Sequence, residues 1–162
     1  MLNKRVQDAL NKQINAEFYA SYLYLAMRVY FEEANLPGFA KWMDAQTAEE
    51  RGHAMKIFDY VVDRNGHVEL TAIAQPSSKF KSPLDVMQMA LSHEQTVTGM
   101  INRLYELAQK ENDYATQVML EWFVTEQVEE EKQAMEVIEH LKRIGDDGAG
   151  LLMLDGQMGA RK

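Results

Sequence analysis

Four long stretches of this chain repeat apolar residues at every third or fourth position, and each is interrupted near its middle by a glutamate. Apolar spacing of that period marks one face of an α-helix. A carboxylate set into such a seam is expensive to bury, so its recurrence in four segments constrains the fold more than any other feature. In the first segment Ile14, Glu17, Ser21 and Tyr24 share the seam, flanked by Leu10 and Leu25. In the second, steps of three and four link Phe39, Met43, Gln46, Glu50, His53, Ile57 and Tyr60. The third gives Leu84, Met87, Leu91, Glu94, Thr98, Ile101 and Tyr105. The fourth gives Met119, Phe123, Glu126, Glu130, Ala134, Val137 and Leu141.

Turn signals set the boundaries. The first helix is expected from about Lys4 to Glu33, stopping near Asn35-Leu36-Pro37-Gly38, and the second from about Phe39 to Arg64, stopping at Asn65-Gly66. Ser82-Pro83 opens the third, with Ser as N-cap, Pro in the first helical position and Asp85 in the first turn. It runs to about Lys110. Asn112-Asp113 can cap the fourth, which ends near Ile144, before Gly145-Asp146-Asp147-Gly148. Each helix then spans about 40 Å at 1.5 Å per residue. Short links make antiparallel hairpins of the first and second helices and of the third and fourth. The second-to-third link is long enough to travel the length of the bundle. The tail carries an apolar patch, Leu151-Leu152-Met153-Leu154, compatible with a fifth short helix or a docked strap. One domain over residues 1–162 is expected, with a bundle at about 4–144 and a tail at 145–162.

In a bundle of equal-length helices the midpoints share one layer. Glu17, Glu50, Glu94, Glu130 and His53 should therefore converge. Glu50 and His53, three residues apart, stack on one helical face as a shared ion requires. Four buried carboxylates would have to protonate or be neutralised, and two divalent cations cancel their charge. Oxygen-rich coordination with one imidazole suits iron or manganese better than structural zinc. Glu49, Glu126 and Glu129 flank the central residues, and Glu126 and Glu129 lean toward a third cation site. Glu131 reads as part of a solvated charge run. Tyr24, on the face of Glu17, either orients a ligand, gives an electron or simply packs. Trp122 reads as core, His93 points about 100° away from Glu94, and His67 and His140 lie in a loop and near a helix end. The methionines read as core filler.

Composition excludes several alternatives. There is no cysteine, hence no disulfide, thiolate zinc site or iron–sulfur cluster. A net charge of −8 argues against a nucleic-acid partner. The polar start Met1-Leu2-Asn3-Lys4-Arg5 lacks an apolar signal core, and no window approaches the run of about 20 apolar residues a membrane helix needs. A cytoplasmic protein with no membrane partner is expected.

Four blocks make the chain resemble the non-haem ferritins of bacteria and archaea over nearly its whole length. They are Asn15-Ala16-Glu17 with Tyr24, Glu49-Glu50-Arg51-Gly52-His53, His93-Glu94-Gln95, and Glu126-Gln127-Val128-Glu129-Glu130-Glu131. The resemblance implies an all-α, ferritin-like four-helix bundle with one long crossover between the second and third helices and a short fifth helix. It implies a homo-oligomeric, hollow twenty-four-subunit cage. It also implies ferroxidase activity, in which Fe(II) is oxidised by dioxygen or hydrogen peroxide and Fe(III) is stored as oxyhydroxide mineral. By position, Glu17, Glu50 and His53 match ligands of a first iron, and Glu94 and Glu130 those of a second, with Glu50 bridging. Glu49, Glu126 and Glu129 match a third iron site, and Tyr24 and Gln127 are expected beside the catalytic centre.

Departures narrow the resemblance. Bacterioferritins carry a second Glu-x-x-His on the fourth helix, whereas Glu126-x-x-Glu129 and Glu130-x-x-Gln133 offer none here. They also bind haem through a methionine just after the bridging glutamate, a position held by Arg51, so no haem is expected. Rubrerythrins want further Glu-x-x-His pairs and a cysteine-bound iron. The acids that line animal ferritin pores are represented only by Glu121 and Asp113, beside Gln117 and Leu120. A di-iron oxidase or peroxidase without mineral storage is the competing function. An organic substrate would need a run of small residues above the metals, and the seams show none.

Overall fold

The computed structural model describes residues 1–161 and, among them, contains five helices and no strand. They are α1 (Lys4–Glu33), α2 (Pro37–Asp63), α3 (Pro83–Lys110), α4 (Tyr114–Ile144) and α5 (Gly148–Gly159). Capping explains most of the starts. Asn3 accepts from the Arg5 N–H at 2.8 Å, and Asp113 from the Thr116 N–H at 3.1 Å. At α3 the cap is reciprocal. Ser82 accepts from the Asp85 N–H at 3.1 Å, while the Asp85 carboxylate accepts from the Lys81 N–H at 2.8 Å.

The first three helices end in one way. Asn35, Asn65 and Asn112 each take a left-handed φ of 54–55°. The following N–H then returns to the carbonyl five residues back, as in Leu36 to Phe31, Gly66 to Val61 and Asp113 to Ala108, at 2.8–3.0 Å. Asparagine tolerates this conformation better than other side chains, which is why three helices stop where they do.

The crossover at residues 64–82 is laid along α1 by amide side chains one turn apart. Gln7 accepts from the His67 N–H at 2.8 Å. Asn11 donates to the His67 carbonyl at 2.9 Å and accepts from the Glu69 N–H at 3.1 Å. Asn15 donates to the Ala72 carbonyl at 3.1 Å. The crossover finishes at Phe80, whose ring meets Tyr30 edge-on at 5.8 Å near the other end of α1. It therefore traverses the bundle, and α3 runs parallel to α2.

Two apolar clusters fill the interior. One joins Met27, Phe31, Phe39, Met43, Met87 and Leu141, and the other Leu10, Ile14, Ile57, Ile101, Leu120 and Phe123. Between them lie the buried polar residues Gln13, Glu17, Gln46, Glu50, His53, Glu94, Gln127 and Glu130. Some expected seam positions shift. Leu25 is 38% exposed, its place on α1 taken by Leu23, Tyr24 and Met27. On α3 the stripe Ala90, Val97 and Leu104 is buried, and Leu91, Thr98 and Tyr105 form its half-buried margin. Both stripes share Met87, Glu94 and Ile101, so Glu94 stays inside on either rotation.

The tail is a helix, not a strap, and it completes α2. Leu36 provides no side-chain cap for α2, but the buried Asp155 of α5 accepts from the Phe39 N–H at 2.9 Å. A carboxylate there satisfies an orphan donor and favours the positive end of the helix dipole. The approach requires glycine, since a Cβ on Gly38 would lie 1.7 Å from the Asp155 carbonyl oxygen. Gly38→Ala is expected to lower stability by about 1–3 kcal/mol through overpacking. Hydrogen exchange should speed up across residues 148–159 before it does in α1–α4.

Candidate metal centre

Each of α1–α4 sends side chains into the middle layer. Glu17 comes from α1, Glu50 and His53 from α2, Glu94 from α3, and Gln127 and Glu130 from α4; all are buried. Three groups bring one ligand atom per residue within 4.8 Å of one another: Glu17–Glu50–His53, Glu50–Glu94–Glu130 and His53–Glu126–Glu130. Glu50 is common to the two groups built entirely of buried carboxylates and imidazole. The Nδ1 of His53 faces Glu50 Oε2 at 3.3 Å.

The carboxylates are held by donors that leave ligand capacity free. Gln13 donates to Glu17 Oε1 at 2.7 Å, and Gln46 donates to Glu130 Oε2 at 2.9 Å. Tyr24 donates its hydroxyl to Glu94 Oε1 at 2.5 Å, and Gln127 donates to Glu94 Oε2 at 3.2 Å and to the Glu94 carbonyl at 3.1 Å. Glu17 Oε2 and Glu50 Oε1 are buried with no hydrogen-bond partner. A buried carboxylate oxygen without a donor is unfavourable unless a cation or a proton meets it.

Electrostatics point the same way. Burial raises the pKa of Glu17, and burial with the neighbouring charges of Glu94, Glu17 and Glu130 pushes Glu50 well above the carboxylate range. Burial pushes both Glu94 and Glu130 up to about 7, with the Glu94 charge adding to the effect at Glu130. Tyr24 is raised well above 10 by burial and the adjacent Glu94, so it stays a hydroxyl donor. Without cations, burial favours the protonated form of these carboxyls. With cations the layer is a set of oxygen ligands.

The flanking residues divide. Half-buried Glu126 meets His53 and Glu130. Glu49 is 44% exposed and pairs with Arg161 at 2.6 Å. Glu129 is exposed and belongs to none of the three groups. Glu131, expected in solvent, is half-buried and accepts from Thr98 at 2.6 Å. Trp122, expected in the core, is 38% exposed and meets the His53 ring edge-on at 5.3 Å, with the Lys56 ammonium over its face. His93 is half-buried beside Tyr19. Sequence reading gave no role to Gln13 and Gln46. For Gln13 a signal was present, since it precedes Glu17 by four residues on the same helix; Gln46 reaches Glu130 across to α4, which its spacing does not announce.

With this geometry in place, the relatives are informative. A ferritin-like domain family model matches residues 7–144. The bacterial non-heme ferritin of Staphylococcus saprophyticus is 44% identical over 161 residues, covering 99% of this chain and 96% of that protein. The Staphylococcus aureus counterpart is 42% identical, covering 99% and 97%. An open-pore ferritin from the hyperthermophilic archaeon Archaeoglobus fulgidus superposes with a TM-score of 0.99 at 45% identity, over 100% of both chains. An engineered closed form of it gives 0.99 at 46% identity, over 100% of this chain and 99% of that one. Helix order, buried carboxylate layer and relatives agree: this chain belongs to the ferritin family.

Proposed function

We propose that the carboxylate–imidazole layer is a ferroxidase centre that takes ferrous iron as its substrate. The chain is an iron-storage ferritin by family. The oxidation chemistry rests on one observation above the others: the unpartnered buried oxygens of Glu17 and Glu50, in a layer where Glu50 is shared by two ligand groups. In this reading Glu17, Glu50 and His53 bind one ferrous ion, Glu94 and Glu130 a second, and Glu50 bridges them. Each ion gives one electron, and the pair reduces dioxygen by two electrons to peroxide, or a peroxide to water. Hydrolysis of the ferric product releases protons, and the ferric ions leave for an oxyhydroxide mineral.

The surrounding residues set geometry. Gln13, Gln46 and Gln127 are neutral donors, so they orient carboxylates without competing as cations. Tyr24 fixes Glu94 through its hydroxyl. Glu126, with Glu49 and Glu129 farther out, forms a third cation site on the path away from the pair. Assembly into a hollow homo-oligomeric cage follows from the same family reading. No helix among the described residues is long and apolar enough to cross a membrane, which fits the cytoplasmic location we infer.

The deciding experiment adds ferrous iron aerobically to metal-free protein and follows oxygen uptake and absorbance. The expected result is oxidation well above buffer, slowed at least about tenfold in Glu130→Ala, with ferric iron kept soluble beyond three ions per chain. Oxidation without retained mineral would favour a di-iron oxidase, and no acceleration would sink the catalytic reading. Tyr24→Phe removes one charge-assisted donor and should slow oxidation roughly fivefold while leaving binding stoichiometry unchanged.

A pH dependence follows from Glu94 and Glu130, whose folded pKa of about 7 lies above the ordinary value of 4.5. A raised carboxyl binds more protons folded than unfolded, so its contribution falls as pH rises from 4.5 through 7. Metal-free protein should therefore melt at a higher temperature at pH 5.5 than at pH 8, apart from changes elsewhere in the chain. Divalent cations compete with those protons. They should raise the melting temperature more at pH 8 than at pH 5.5, a difference calorimetry can read in Glu94→Gln as a smaller gap.

A further inference from the structure

Arg161, just beyond α5, has no part in the reading above, yet it touches two residues that lead to the centre. Its guanidinium lies over the Trp42 ring, 4.8 Å from the centroid, and its side chain is only 19% exposed. From there it forks across α2. Nη1 donates to Gln46 Oε1, and Nη2 donates to Glu49 Oε2 at 2.6 Å. The fully buried Gln46 passes the contact inward by donating to Glu130 Oε2 at 2.9 Å.

Both contacts have a chemical consequence. An amide can turn either end toward a neighbour, but a guanidinium has only donors. Arg161 therefore selects the orientation in which Gln46 Oε1 points outward and Nε2 points to Glu130. At Glu49 the guanidinium occupies Oε2, one of the two oxygens a metal ion could take. A fixed organic cation and a divalent ion cannot share that oxygen without strong repulsion.

We propose that Arg161 is a positioning residue that acts as a tethered counter-cation on Glu49, so that a third divalent ion takes Glu49 Oε2 only by displacing it and Oε1 only against its charge. The inference rests on the third-cation site of the preceding subsection. It gives that site a built-in weakness relative to the inner pair, as suits an ion on its way out.

The test is an anaerobic calorimetric titration of metal-free full-length protein with ferrous ions alone, comparing the parent chain with Arg161→Gln, Arg161→Lys and Glu49→Gln. Two tight ions and one weaker ion are expected for the parent. Arg161→Gln should tighten the weaker ion roughly fivefold, the scale of one partly exposed ion pair, and leave the inner two unchanged. Arg161→Lys keeps the charge and should resemble the parent. Glu49→Gln should lose or weaken the third ion, and adding Arg161→Gln to it should then change nothing. A third ion that also tightens in that double variant, or one equally weak in the parent and Arg161→Gln, would overturn the proposal. If both bind only two ions, the competition is refuted while the inner pair stands. A parent chain that binds none refutes the ferroxidase centre itself.

Discussion

Everything else in this molecule is arranged around the repulsion among four glutamates in a dry layer. Glu17, Glu50, Glu94 and Glu130 sit between two apolar clusters, where water cannot screen them. Such a layer is tolerable only if each carboxylate is met by a donor, a proton or a cation. Glutamines and a tyrosine supply the donors, and burial supplies the affinity for protons. The remaining capacity, concentrated on Glu17 and Glu50, suits divalent ions. Stability and function therefore draw on the same interactions, and the helices must be long enough to bury apolar surface on both sides of a layer that contributes little cohesion itself.

The two halves of the interior are closed differently. Where α1 turns into α2, Phe31 stacks on Phe39 at 4.8 Å, and α5 adds Leu154 and Met158 while Asp155 caps α2. At the opposite end Arg64 joins Tyr60 and Asp113, which also caps α4, so one ion pair anchors the exit of α2 to the start of α4. Burial works against ionisation of Asp113, but its bonds to Arg64 and Thr116 prevail and hold it below the ordinary range. A polar clasp at one end and a docked helix at the other keep the midpoints in register, which the ligand layer requires.

Much of this was legible in the sequence because it rests on local rules. Helix spans follow from apolar period, and their ends from Asn35, Asn65, Ser82-Pro83 and Asn112-Asp113, whose conformations are set within a few residues. The Glu50–His53 spacing pointed to the buried carboxylate–imidazole layer because it is a property of one helix face. What stayed hidden depends on rotation and on distant partners. A rotation too small to move Glu94 shifted Leu91 to the margin, and the wide stripe of α1 left Leu25 outside. Glu131 found Thr98 on another helix, and Trp122 lies at the rim beside His53. Nothing near Arg161 in sequence hints that it reaches Gln46 and Glu49, more than a hundred positions earlier, because only the docking of α5 on Gly38 brings it there.

The tethering of the crossover to α1 has its own consequence. Gln7, Asn11 and Asn15 occur at intervals of four residues, so they stand in a row one helical turn apart and meet peptide groups spaced along the crossover between His67 and Ala72. That row works as a ruler. It meters how much chain is paid out between α2 and α3, using amide side chains where a β-sheet would use a neighbouring strand. Because the hold is shared among several anchors, losing one leaves the segment's course defined by the others. A change in the number of residues is different: it would have to bulge outward between two anchors, since sliding by one residue would mispair them all.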